Sequence, residues 1–150
     1  MLNVHASGGC AMMKAAVRAN SESRKPSSIL LAVTLLTSLS SDDLRDIGMK
    51  ANVGQQVVRL ARLAQDCGMD GVVCSPLEID LIREACGQDF ILVVPGVRPT
   101  WAAAGDQKRI ATPSEAIARG ADYLVIGRPI TAADDPVAAA VRIGEELAVV

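Results

Sequence analysis

The sequence predicts an α/β chain with a parallel sheet covered by helices, and favours a closed barrel over a doubly wound sheet. Three observations carry this. Short aliphatic and β-branched runs alternate about five times with helix-spaced stretches, joined by short connections. No Gly-x-Gly-x-x-Gly follows a strand, which counts against a dinucleotide-binding fold. Arg98 and Arg128 stand just past two successive strand-like runs late in the chain, where barrels commonly build a phosphate site.

Taken in order, residues 1–4 read as a strand that ends in the small-residue turn His5-Ala6-Ser7-Gly8-Gly9. Residues 10–19 have Met12, Met13, Ala16 and Val17 near helical spacing, and a polar loop follows over 20–28. The continuous apolar run 29–35 suits a strand covered on both faces, and it ends at Leu36-Thr37-Ser38. Ser41, Asp42 and Asp43 open a short helix, because acids favour the first turn. Val53, Val57, Leu60 and Ala64 form one helical stripe with Gly68 placed to end it. A short strand over 71–74 leads into Ser75-Pro76-Leu77-Glu78, which combines a capping serine, a first-turn proline and a glutamate closing a capping box. The helix it starts carries Leu77, Leu81, Ile82 and Ala85 and stops near Gly87. A strand over 90–94 is followed by a long loop, 98–109, and Thr112-Pro113-Ser114-Glu115 repeats the cap chemistry. The last strand ends at Ile126, and Asp135-Pro136 starts a final helix through Val137, Ala140, Val141 and Leu147.

The 150 residues suffice for one domain with a substantial core. A net charge of −2, scattered basic residues and only 2% aromatics argue against a nucleic-acid surface. No apolar run approaches the roughly 20 residues that span a bilayer, and no signal peptide is expected. Cys10, Cys67, Cys74 and Cys86 lack Cys-x-x-Cys spacing, so reduced cytoplasmic thiols are expected rather than a metal or disulfide framework.

Arg98, Arg128 and the glycines beside them carry the functional signal. Glycine lets backbone N–H groups approach an anion, and arginine presents a planar fork of donors. Gln107, between the two arginines in sequence, can bridge ligand groups, though a solvated loop amide explains it as well. Thr37 and Ser38 at a strand end can bond a polar ring or simply make a turn. His5 is left unassigned, a backbone-satisfied strand-end histidine being the commoner case. Asp42, Asp43, Asp134 and Asp135 are explained as helix caps. Lys14, Lys25, Lys50 and Lys108 lack a strand-end setting between aspartates. The residues can bind a ligand, but no catalytic centre is evident.

Asn3-Val4-His5-Ala6-Ser7-Gly8-Gly9, Thr34-Leu35-Leu36-Thr37-Ser38, Asp70-Gly71-Val72-Val73-Cys74-Ser75, Pro95-Gly96-Val97-Arg98-Pro99, Gly105-Asp106-Gln107 and Val125-Ile126-Gly127-Arg128-Pro129 together resemble bacterial orotidine 5′-phosphate (OMP) decarboxylases. The resemblance implies a partial (β/α)8 TIM barrel, strands 4 to 8 with their helices, and makes residues 1–150 the C-terminal part of one barrel domain. It implies a cofactor-free, metal-free conversion of OMP to UMP and CO2 in pyrimidine biosynthesis, by a cytoplasmic homodimer with no nucleic-acid or membrane partner. By position, Arg128 and the Gly127 backbone would hold the phosphate and Gln107 would link phosphate to pyrimidine. Arg98 would be a further loop contact, and Thr37, with Ser38 beside it, would lie on the pyrimidine side.

The family's Asp-x-Lys-x-x-Asp segment, whose lysine protonates the ring carbanion, has no counterpart in these residues. The expectation is therefore a truncated or internally started sequence with no catalytic residue of its own. It would be inactive alone, with unpaired edges at its first and last strands. Two other readings stay open: another phosphate-binding barrel enzyme such as a hexulose-phosphate synthase or epimerase, and a non-catalytic nucleotide-binding half-barrel.

Overall fold

The five apolar runs form five short parallel strands, paired strictly in chain order. These are β1 (Leu2–His5), β2 (Leu30–Val33), β3 (Gly71–Val73), β4 (Ile91–Pro95) and β5 (Tyr123–Val125). The computed structural model describes residues 1–22, 28–49, 52–102 and 111–148. An unbroken order with no reversal is that of a singly wound sheet, as in an arc of a (β/α)8 barrel. A doubly wound sheet would turn back on itself.

Seven α-helices accompany the strands among the described residues. They are α1 (Gly9–Ser21), α2 (Ser41–Asp46), α3 (Val53–Asp66), α4 (Ile79–Cys86), α5 (Pro113–Ala118), α6 (Arg128–Thr131) and α7 (Pro136–Leu147). The local chemistry of their starts is visible. Ser40, one residue before the predicted start of α2, accepts from Asp43 N–H, and the Asp43 carboxylate accepts from Ser40 N–H at 2.6 Å. Ser75 and Glu78 close the same kind of box ahead of α4, and Thr112 and Glu115 do so ahead of α5. Asp135 accepts from Ala138 N–H to cap α7.

The core lies between the sheet and α3, α4 and α5, with Ala32, Val72, Leu92 and Val94 from the strands against Val57, Leu60, Ala64, Ile79, Ile82 and Ala116. Two predicted stripes are corrected. Leu77 and Leu81 are largely exposed, and the buried face of α4 is Ile79, Ile82 and Arg83. On α7 the buried residues are Ala139 and Ile143, while Val137 and Val141 face outward. The reason is helical phase. At 100° per residue, positions two apart fall on opposite sides, so Val137 and Val141 cannot share the face of Ala139 and Ile143.

The outer strands carry exposed apolar residues, Leu2 on β1 and Tyr123 and Val125 on β5, as expected for unpaired edges. Among the described residues no helix is long and apolar enough to cross a membrane.

Candidate functional site

Parallel strands deliver all their carboxyl ends to one side of the sheet, so residues just past successive strands become neighbours. β4 ends at Pro95, and Gly96 follows with φ +79, a left-handed turn that glycine adopts without a Cβ penalty. Val97 then bridges to Ala111, and Arg98 N–H donates to the Ala111 carbonyl at 2.9 Å. Both ends of the loop after β4 are therefore tied together at its base. Arg98 is buried, 8% exposed, and its guanidinium donates to the Val97 carbonyl at 2.8 Å.

β5 hands over through Ile126 and Gly127 to α6, a helix not foreseen from the sequence, whose first residue is Arg128. Pro129 at the second position and bonds from Ile130 and Thr131 N–H to the Gly127 carbonyl fix this turn. Arg128 itself is exposed.

The two arginines line one cavity of ≈ 290 Å³, completed by Trp101, Ala102, Pro129, Ala132 and Ala133. The arginines are the only charged groups on the described lining. Two cations on a wall of alanine, proline and indole suit an anion, since low-polarity surroundings strengthen its attraction to the guanidinium groups. A second cavity, ≈ 300 Å³, shares Arg98 and Ala102 with the first and reaches Thr112 and Glu115. Hydrogen bonds from the Thr112 backbone and hydroxyl hold the Glu115 carboxyl below its ordinary value, so it stays ionised as the cap of α5.

Trp101 was not anticipated. It lines the arginine cavity on one side and stacks on the α7 residue Arg142 on the other, 4.7 Å from guanidinium carbon to ring centroid. The available signal was that the chain's one tryptophan stands three residues after Arg98.

The remaining predicted residues are placed differently. Thr37 and Ser38 form a half-buried turn past β2, closed by Leu39 N–H to Leu36 carbonyl at 3.0 Å, and they are not among the residues lining the arginine cavity. They share its side of the sheet, two strands away in the order. Gly127 adjoins Arg128 but does not line the cavity. Gln107, with Gly105, Asp106 and Lys108, lies outside the described residues, as do Lys25 and Lys50. His5 ends β1, exposed, with no side-chain cap bond to the turn that follows. Among the described residues no three His, Cys, Asp or Glu side chains are grouped to hold a metal.

Consecutive parallel βα units with a cationic cavity beyond the strand ends define a barrel-type α/β protein with its site at the carboxyl end of the sheet. Within that class, the chain belongs to the orotidine 5′-phosphate decarboxylase / HUMPS family, whose model matches residues 1–143. It is 54% identical over 155 residues to an orotidine 5′-phosphate decarboxylase of Moorella thermoacetica, covering 100% of this chain and 62% of that protein. It is 57% identical over 149 residues to one of Paramagnetospirillum magneticum, covering 96% of this chain and 63% of that one. A crystal structure of the Lactobacillus acidophilus orotidine 5′-phosphate decarboxylase superposes with a TM-score of 0.81 at 41% identity, over 97% of this chain and 62% of that chain. A Sulfolobus solfataricus structure at 20% identity and TM-score 0.66 shares the fold. The chain thus spans somewhat under two thirds of the length of these relatives.

Proposed function

We propose that this chain is the nucleotide-phosphate-binding part of an orotidine 5′-phosphate decarboxylase, serving UMP formation, and that by itself it binds the nucleotide without decarboxylating it. The observation that carries the reading is the convergence of Arg98 and Arg128, from two successive strand ends, on one cavity. The names of relatives above 50% identity supply the substrate.

In this reading the Arg128 guanidinium donates to the phosphate oxygens and the Gly127 backbone lies against them. Arg98 is a further substrate contact from the loop after β4, and Gln107 links the phosphate to the pyrimidine. Thr37, with Ser38 beside it, faces the pyrimidine. Residues 1–150 are part of one barrel domain, the whole protein is a cytoplasmic homodimer, and no nucleic acid or membrane is involved. Decarboxylation needs a group to stabilise and protonate the ring carbanion left when CO2 departs, and no Asp-x-Lys-x-x-Asp segment occurs in these 150 residues. The contribution of this part is binding energy remote from the reacting bond, which in a complete enzyme closes loops and lowers the barrier at the ring.

The test pairs turnover with binding. The purified chain should leave the OMP absorbance unchanged. Its UMP affinity should fall roughly ten- to a hundred-fold in Arg128→Ala, the size of one charge-assisted contact. Decarboxylation by the chain alone, or UMP binding indifferent to Arg128, would overturn the reading.

A further inference from the structure

Away from the arginine cavity, two cysteines distant in sequence meet. Cys10 is the second residue of α1 and is half-buried, whereas Cys67 ends α3 and is 4% exposed. Their sulfur atoms are 2.7 Å apart across 57 positions of chain. Both are free thiols. Cys67 N–H is held by the Leu63 and Ala64 carbonyls at 3.1 Å each, and Gly68 turns the chain out of the helix with φ +82. The sulfurs stand about 0.7 Å beyond the ~2.05 Å of a disulfide bond.

We propose that Cys10 and Cys67 are an oxidative modification site, a thiol pair that a low-molecular-weight disulfide converts into an intramolecular disulfide tying the start of α1 to the end of α3. The step balances as thiol–disulfide exchange. The Cys10 thiolate attacks one sulfur of the external disulfide, expelling half of it as a thiolate that takes up the proton Cys10 released. Cys67 then loses its proton and attacks the Cys10 sulfur of the mixed disulfide, expelling the second half as a thiol. Two protein thiols are oxidised, and one small disulfide is reduced to two thiols.

The order of events follows from access. Cys10, half-exposed, receives the oxidant, and buried Cys67 resolves the adduct. Burial, and after it the neighbouring Cys10, push the Cys67 thiol up to about 11; Asp66 on α3 acts in the same direction, and Lys14 on α1 opposes it. Cys67 is thus a protonated thiol at neutral pH. The resolving step should accelerate by about tenfold per pH unit while the pH stays below the thiol's own value.

The test uses the intact chain, oxidised glutathione as the probe, and alkylation followed by intact-mass and peptide mapping. The expected result is the loss of two hydrogens, a Cys10–Cys67 cross-linked peptide, and Cys74 and Cys86 still open to alkylation after unfolding. Cys67→Ser should stop at a glutathione adduct on Cys10, and conversion of adduct to disulfide in the unsubstituted chain should quicken about tenfold between pH ~7 and pH ~8. A persistent adduct on Cys10 with Cys67 intact, an unmodified Cys10, or cross-links to Cys74 or Cys86 instead would overturn the proposal.

Discussion

Arg83 sits on the buried face of α4 with its side chain 7% exposed, and its guanidinium is spent entirely on the surrounding backbone and one carboxylate. It donates to the carbonyls of Gly87, Gln88 and Phe90, to that of Gly120, and to Asp122 Oδ2 at 2.7 Å. One side chain thus joins the end of α4, the approach to β4 and the approach to β5. A planar fork of five donors can do this where the point charge of a lysine cannot. Arg83→Met keeps the apolar stem but leaves those carbonyls unpaired, and should cost on the order of 3 kcal/mol, read as a fall in the urea midpoint. An unchanged midpoint would mean water replaces the guanidinium. The sequence held a signal for this residue, since Ile79, Ile82 and Arg83 follow helical spacing, but a charge on an apolar stripe reads first as surface.

At the scale of elements, two strand entries repeat one device. Asp70, before β3, donates its N–H to the Leu30 carbonyl and accepts Leu30 N–H on Oδ2 at 2.7 Å. Asp122, before β5, does the same with Leu92, again at 2.7 Å. Each aspartate closes a ring with a leucine of the preceding strand and fixes where the next strand begins. β3 and β4 approach so closely that a Cβ on Gly71 would lie 2.1 Å from the Ile91 carbonyl oxygen, whereas one on Gly144 in α7 would meet nothing within 4 Å. Gly71→Ala should therefore disrupt the β3–β4 pairing and cost more than about 3 kcal/mol, while Gly144→Ala should stabilise by about 0.5–1 kcal/mol. Equal midpoints in urea for the two variants would contradict this. The strands and capped helices were legible because apolar runs and Ser/Thr-x-x-Asp/Glu boxes are local signals. The four-residue α6 was not, because Arg128-Pro129-Ile130-Thr131 has no periodicity to show. The outward face of α7 was not legible because Val137 and Val141, four apart, make an apolar helical stripe of their own beside the alanines, and only packing on α5 and α6 chooses between the faces.

For the whole molecule, the strand order β1 to β5 places the carboxyl ends of β4 and β5 side by side, and this adjacency makes one cavity of two arginines thirty positions apart. Arg98 and Arg128 were legible as a pair because each follows a strand-like run. Trp101 was not, because nothing local reports that its ring reaches Arg142 on the last helix. Thr37 and Ser38 share the same side of the sheet without lining that cavity. The decisive measurement is a calorimetric titration of the purified chain with UMP and, separately, with uridine, which lacks the phosphate. Binding of UMP with at least about tenfold weaker binding of uridine, one charge-assisted contact or more, is the predicted result. Equal affinities, or no heat from UMP, would contradict the assignment of the arginine cavity to the nucleotide phosphate.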